Sequence, residues 1–340
     1  MSEGLIKAWY RGAWWLWLLW PLSLIYRALR QVLVAFSSPP KSNPVPLLVV
    51  GNISLGGTGK TPVVQALVRQ LTERGVRCGI ISRGYGGQAG PGPKLVMAKD
   101  SPVSVGDEPY LLWQTTQVPV VVGSDRQGAI NLLANEYDLD LIISDDGLQN
   151  LAIKGDIEWL LIDGHRGLGN GQCLPMGPLR ESPHRLNSVD AVMVVGGQAG
   201  TIPKGVAASS KSVNYITPQL TQLRQLHDNA EVSWPDHDSS VKALAGVGNP
   251  QRFFADLAAK GLRVEPFAFA DHHQFTPQDL APFYGMTLIM TAKDAVKCHA
   301  LADSQQQQWY YAEQSIELPE AALQAVLDKL DLTGKQDHHG

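Results

Sequence analysis

Apolar positions along this chain fall into short runs, most of them separated by stretches long enough for a helix. "LLVVGNI" (47–53), "CGIIS" (78–82), "VPVVVG" (118–123), "LDLIIS" (139–144), "IEWLLIDG" (157–164) and "AVMVVGG" (191–197) read as strands without polar alternation. A strand that is apolar on both sides is covered on both sides, as in a parallel sheet flanked by helices. Behind the first run, "TPVVQALVRQLTERG" (61–75) has helical spacing and closes at Gly75. After Gly197 the pattern weakens into a polar, mixed segment reaching residue 240. "VKALAGVGNPQRFFADLAAKGLRV" (241–264) then begins a new strand–helix–strand unit, and "TLIMTAKDAVKC" (287–298) ends a further strand. The tail predicts a strand within "QQQQWYYAEQSIEL" (305–318), a helix in "PEAALQAVLDKL" (319–330) and a disordered "GKQDHHG". The expected architecture is α/β: a first domain over 37–214, with 315–340 returning to it, and a smaller α/β domain over 215–314.

The N-terminus follows another pattern. "AWWLWLLWPLSLI" (13–25) is apolar for 13 residues, contains Pro21 and holds four of the nine tryptophans. A simple spanning helix needs about 20 apolar residues, so the run is short for one. Lys7, Arg11, Arg27, Arg30 and Lys41 against Glu3 alone give residues 1–43 a charge of +4. Tryptophan favours the headgroup level and basic residues favour anionic lipid. Residues 1–36 therefore read as a membrane-associated helix lying in the cytoplasmic face. A signal peptide fits less well, because no small-residue cleavage site follows. "SSPPKSNPVP" (37–46), with four prolines, ends the helix and links it to the body.

Composition narrows the classes. Hydrophobic residues at 44% and charged residues at 18% of 340 describe a folded chain, not a disordered one. A net charge of −4 gives no reason to expect nucleic acid as partner. Cys78, Cys173 and Cys298 are odd in number and lack metal-like spacing, so they read as reduced thiols.

The strongest chemical signal is "SLGGTGKTP" (54–62), strand before and helix after. It fits the phosphate-cradling pattern G-x-x-x-x-G-K-[ST] except that Ser54 opens it. Backbone N–H groups and a helix N-terminus favour an anion here, and Pro62 suits a first helical turn. In that pattern Lys60 reaches the β- and γ-phosphates and Thr61 ligates magnesium. "LIISDDG" ends a buried strand in Asp145 and Asp146, where a nucleotide's metal finds its second carboxylate. "GDEPYLLWQ" (106–114) offers Asp107 as acceptor of a hydroxyl proton and Glu108 as a magnesium aid; the same letters also simply start a helix. "FADHHQFT" (269–276) concentrates groups that titrate near neutrality, without further ligands at zinc spacing.

With "SLGGTGKTP", "SRGYGG", "GDEP", "SDDGLQ", "LPMGPLRE", "GVGNPQRFF", "DHHQFT" and "TAKDAVK" in this order, the chain resembles the tetraacyldisaccharide 4′-kinases, the lipid A 4′-kinases, from its N-terminus to about residue 318. The resemblance implies a P-loop NTPase-type fold of two α/β domains joined by a two-stranded linker, which the late strand suits. It implies a kinase of the Gram-negative inner membrane that uses ATP and Mg²⁺ to phosphorylate the 4′-hydroxyl of a tetraacylated glucosamine disaccharide 1-phosphate. By position, Ser54, Leu55, Gly56, Gly57, Thr58, Gly59, Lys60 and Thr61 become the ATP loop. Asp107 becomes the catalytic base, paired with His272 or His273, the former preferred. Thr61, Glu108, Asp145 and Asp146 become the metal shell. Arg83, Arg126, Arg166 and Arg180 are candidates for the substrate's 1-phosphate. The partners expected are lipid and membrane surface, with neither nucleic acid nor an obligate protein. The chain departs from the family pattern at "LPMGP" and at "TAKD", where "TEKD" is expected. The rival reading, a membrane-attached P-loop ATPase switch that binds a protein, is disfavoured by Leu55, since such switches often carry lysine there.

Overall fold

The computed structural model describes residues 3–37, 42–90, 92–197, 203, 206, 213–301 and 308–329. The proposed disordered tail and part of the proline-rich linker lie outside these residues. Eight strands form the larger sheet: β1 (Leu47–Asn52), β2 (Cys78–Ser82), β3 (Lys94–Leu95), β4 (Val120–Val122), β5 (Leu141–Asp145), β6 (Ile157–Asp163), β7 (Ala191–Val195) and β8 (Val213–Ile216), in the order β3-β4-β2-β5-β1-β6-β7-β8. All pairings are parallel except the β3 edge. The central strands are buried at nearly every position, which the continuous apolar runs require.

Six strands form the smaller sheet: β9 (Gln219–Gln225), β10 (Glu231–Val232), β11 (Ser240–Ala245), β12 (Arg263–Ala268), β13 (Leu288–Thr291) and β14 (Trp309–Ser315), in the order β10-β9-β14-β13-β11-β12. Its β11–β12, β11–β13 and β13–β14 pairs are parallel, whereas β14–β9 and β9–β10 are antiparallel. The polar segment after Gly197 thus carries strands that show no continuous apolar run. β9, "QLTQLRQ", buries only Leu220 and Leu223, three positions apart across an irregularity in its pairing with β14, so it shows neither a continuous run nor regular alternation.

Among the described residues ten α-helices complete the order: α1 (Glu3–Arg11), α2 (Trp20–Phe36), α3 (Lys60–Thr72), α4 (Pro102–Val105), α5 (Asp107–Thr116), α6 (Arg126–Glu136), α7 (Pro250–Ala259), α8 (Pro277–Leu280), α9 (Ala292–Cys298) and α10 (Glu320–Lys329). α3 and α10 pack in one apolar cluster with one face of the larger sheet, and α6 in another with the opposite face. The chain enters the smaller sheet at β9 and leaves it at β14, and these two passes pair with each other. Leaving β14, Ile316, Leu318 and Leu323 bury themselves in the core of the larger sheet, so α10 closes the circuit.

The N-terminal segment is two helices, not one. Gly12 at φ +71° ends α1, a 3-10 turn covers Trp14–Leu19, and Pro21 sits in the first turn of α2, where no N–H is needed. Trp9 is buried, with its indole N–H donating to Pro175 O at 3.0 Å. Ser23, Tyr26 and Arg30 share one stripe of α2 and bind the segment 173–181: Ser23 Oγ to Cys173 O at 3.0 Å, Tyr26 OH to Arg180 O at 2.9 Å, and Arg30 to Glu181 at 3.0 Å. Trp14, Trp17 and Leu18 are exposed by 78%, 65% and 75%.

Candidate active site

β1 runs into a turn through Gly56 (φ +102°) and Gly59 (φ +78°) before α3 begins at Lys60. A side chain at Gly59 would also lie 3.1 Å from Val195 Cγ1, so conformation and space both demand glycine. The first half of the loop is tied to the segment after β6. Leu55 N donates to Pro178 O at 2.8 Å, Ser54 bridges Leu179, and the Leu55 side chain packs with Trp9, Leu16 and Met176. The second half, Gly57 to Thr61, lines a cavity of about 200 Å³ together with Glu108, Asp271 and Lys293. The cavity lies between the two sheets. The early N–H groups of α3 have no intrahelical partners, and Thr58 Oγ1 is buried without one. This is a wall built to take a polyanion.

Opposite Lys60 stand Asp145, the last residue of β5, and Asp146, which follows it. Lys60 Nζ is 3.4 Å from Asp146 Oδ1 and 3.3 Å from Asn52 Oδ1. Arg180 reaches Asp146 at 3.3 Å and Asn52 O at 2.8 Å. Burial works against ionisation of Asp146, but Lys60 and Arg180 outweigh it and hold the carboxyl below the ordinary range. Asp145 is the reverse case. It is 2% exposed, its Oδ1 has no partner, and burial first, then Glu108, raises its carboxyl above the ordinary range. Among the described residues no three His, Cys, Asp or Glu side chains cluster as a self-sufficient metal site. Magnesium, however, is usually held by one or two carboxylates and the phosphates it accompanies. Asp145, Asp146, Glu108 and the Thr61 hydroxyl are hard oxygen donors beside the phosphate loop. An unpartnered buried carboxylate oxygen among them fits such an ion.

Asp107, the first residue of α5, is 4% exposed, and its two oxygens lie 3.0 and 3.1 Å from His272 Nδ1. Burial opposes the carboxylate, but the His272 hydrogen bond, Lys293 and Lys297 prevail and lower its pKa. The same hydrogen bond raises the pKa of His272 above the ordinary imidazole value, against burial and Lys293. His272 sits at φ +60°, a conformation rare for a residue with a Cβ. Its ring lies 5.0 Å from that of Tyr85. With Nδ1 engaged by Asp107, its Nε2 is the ring nitrogen left on the side of Lys293. Lys293 Nζ stands 3.4 Å from that nitrogen, 2.9 Å from Glu108 Oε1 and 3.2 Å from Asp271 Oδ1. Burial disfavours the Lys293 charge, yet Glu108, Asp107 and Asp271 raise its pKa well above the usual lysine value.

His273 does not join this group. Its Nε2 lies 3.2 Å from Asp279, and its ring packs at 4.9 Å from both Phe269 and Phe275. Of the arginines, Arg126 is buried and donates to Asp145 O at 2.9 Å, with exposed Arg83 nearby, and Arg180 holds Asp146. Arg166 lies elsewhere, near Gly56, with both terminal nitrogens 3.4 Å from Gly248 O of the smaller sheet. Sequence reasoning gave no role to Lys293, Asp271 or the turn at Gly248. The signal for the lysine was "TAKD" itself (291–294).

A family model described as tetraacyldisaccharide-1-P 4′-kinase matches residues 15–331. The tetraacyldisaccharide 4′-kinase of Alcanivorax borkumensis is 42% identical over 333 residues, 97% of this chain and 98% of that one. That of Stutzerimonas stutzeri is 44% identical over 310 residues, 89% of this chain and 90% of its own. Among solved structures, LpxK from Aquifex aeolicus in complex with ATP superposes with a TM-score of 0.74 at 25% identity, covering 92% of this chain and 98% of that one.

Proposed function

Since this chain belongs to the tetraacyldisaccharide-1-phosphate 4′-kinase family, we propose that the cleft between its two sheets is where phosphoryl transfer takes place. The protein is an ATP-dependent kinase that phosphorylates the 4′-hydroxyl of a tetraacyldisaccharide 1-phosphate in lipid A biosynthesis. In our reading Gly57 to Thr61 wrap the triphosphate and Lys60 contacts its outer phosphates. Magnesium arriving with the nucleotide would be held by Thr61, Glu108, Asp145 and Asp146, and would neutralise charge on the phosphate oxygens.

The proton acceptor is better assigned to His272 than to Asp107. Asp107 is 4% exposed, and its oxygens are taken by His272 Nδ1 and, at Oδ1, by the Glu108 N–H; the more exposed His272 keeps its second nitrogen for the sugar hydroxyl. This is the orienting-carboxylate arrangement, in which the acid fixes the imidazole tautomer and stabilises its cation. The 3.0 Å contact joins residues of opposite sheets, and it is the one observation that carries the reading. His272→Ala should lose lipid phosphorylation while still binding ATP. Normal transfer by that variant would return the base role to another group. ATP turnover without acceptor labelling in the native protein would favour the switch reading.

Arg83, Arg126 and Arg180 gather on the Asp145–Asp146 side and are our candidates for the acceptor's 1-phosphate; Arg166 is assigned to contact between the sheets. We further propose that the protein lies on a membrane through its N-terminus, at the cytoplasmic face. Trp14–Phe36 is long and apolar enough to cross a bilayer by length and composition. One stripe of α2 is nevertheless bound to the body by Ser23, Tyr26 and Arg30. A helix held on one side by protein, with Ile25, Val32 and Phe36 exposed elsewhere on it and tryptophans exposed on the 3-10 turn before it, suits the interface plane. There it brings the cleft to a substrate whose acyl chains stay in lipid.

A further inference from the structure

We infer that Lys293 is a further catalytic residue: an ammonium delivered from the smaller sheet to the phosphoryl group as it passes from nucleotide to sugar. The inference rests on the functional reading above, and its logic is positional. The triphosphate ends near Gly57 to Thr61. The attacking hydroxyl must come within hydrogen-bond distance, about 2.6–3.2 Å, of His272 Nε2. The phosphorus travels between these two points. Lys293 Nζ is 3.4 Å from that same Nε2 and lines the same cavity as Gly57, Lys60 and Thr61. It therefore stands beside the path, while Lys60 is engaged with Asn52 and Asp146.

A neighbouring lysine supplies the comparison. Lys297 lies one helical turn further along α9, and both lysines stand 3.9 Å from Asp107 Oδ2. Lys297 is sealed: its side chain is 1% exposed, is paired with Asp294 at 2.8 Å and lies over the Phe275 ring at 5.1 Å. If the cluster needed only a cation to balance Asp107, Lys297 already serves. Lys293 instead faces the cavity, held between Glu108 at 2.9 Å and Asp271 at 3.2 Å. Three carboxylates within 4 Å keep it charged and extended.

In the step itself, the bond from the γ-phosphorus to the β,γ-bridging oxygen breaks and a bond from phosphorus to the 4′-oxygen forms. The hydroxyl proton passes to His272 Nε2, and ADP carries away the bridging oxygen with its electron pair. Lys293 keeps its proton and donates hydrogen bonds to the equatorial phosphoryl oxygens, where transition-state charge is spread. Because α9 belongs to the smaller sheet, this cation joins Lys60 only when the two sheets meet over the substrate.

The test compares Lys293→Met, Lys293→Gln and Lys293→Arg with the native enzyme. It measures kcat and KM for lipid phosphorylation, and affinity for ADP alone and for ADP with aluminium fluoride, magnesium and acceptor. Both neutral variants should lose about 10²–10³-fold in kcat. They should bind ADP normally and lose most of the affinity gained on adding fluoride, while arginine restores part of both. Glutamine can still hydrogen-bond Glu108 and Asp271, so it covers the case in which methionine disturbs folding. A neutral variant with native kcat, or with the native gain from fluoride, overturns the role of Lys293. Failure of the native enzyme to phosphorylate the lipid would instead overturn the functional reading on which it rests.

Discussion

His272 owes its proposed role to its φ of +60°, which separates it from His273 and turns the two rings to different partners. Spacing in "DHHQFT" shows two adjacent imidazoles; only the left-handed backbone at the first sends one to Asp107 and the other to Asp279. A sequence holds no mark of that turn, so the choice between the histidines was not legible in it. The phosphate loop was, because glycines, lysine and threonine at fixed spacing state a backbone geometry directly. The pH dependence follows from the same ring. Asp107 raises the pKa of His272, while burial and Lys293 lower it; Asp271 and Tyr85 also face it. The neutral ring accepts the proton, so activity should fall as pH drops through that raised pKa. Asp107→Asn removes the upward influence. Its kcat/KM profile should show the acid limb displaced to lower pH, with the maximum reduced about 10²–10⁴-fold. A limb that stays in place would remove His272 from the base role.

Among the elements, the contact that closes the cleft is made by two turns without side chains. A Cβ at Gly248, in the turn between β11 and α7, would lie 2.6 Å from Gly57 N. Gly248→Ala should therefore hold the smaller sheet off the phosphate loop. The expected outcome is a raised Kd for ATP by calorimetry with an unchanged thermal midpoint; unchanged affinity would mean the turns need not meet. The strand–helix–strand unit containing this turn was readable from its apolar run and glycines. Strands β9 and β10 were not: β10 is a two-residue edge strand, and β9 buries only two residues, with its register to β14 broken, so neither shows a continuous run or strong alternation. The N-terminal elements were half legible: tryptophan content and basic charge are the grounds of the membrane role proposed above. The docking of Trp9 and Leu55 into one cluster depends on partners more than a hundred residues away. Replacing exposed Trp14, Trp17 and Leu18 by serine should weaken sedimentation with anionic vesicles while leaving the fold intact. Undiminished co-sedimentation would place the anchor elsewhere.

The molecule as a whole is two sheets joined by β9 and β14, with α10 returning to fasten the second pass to the larger core. Leu323 is fully buried in that return. Leu323→Ala should cost about 2–5 kcal/mol in denaturant unfolding, and a smaller loss would show that α10 is only loosely held. The alternation of apolar runs and helix-length gaps disclosed the sheets. How their edges face each other became apparent only from contacts such as Asp107 with His272. The central claim is that the cleft hands one phosphate from ATP to a lipid-borne sugar with His272 as base. Its most direct test is incubation of the native enzyme and His272→Ala with γ-labelled ATP, magnesium and the acceptor in detergent micelles. The account predicts one labelled phosphate on each acceptor for the native enzyme and almost none for the variant, with ATP binding preserved in both. Label released only as inorganic phosphate, or equal transfer by the variant, would contradict it.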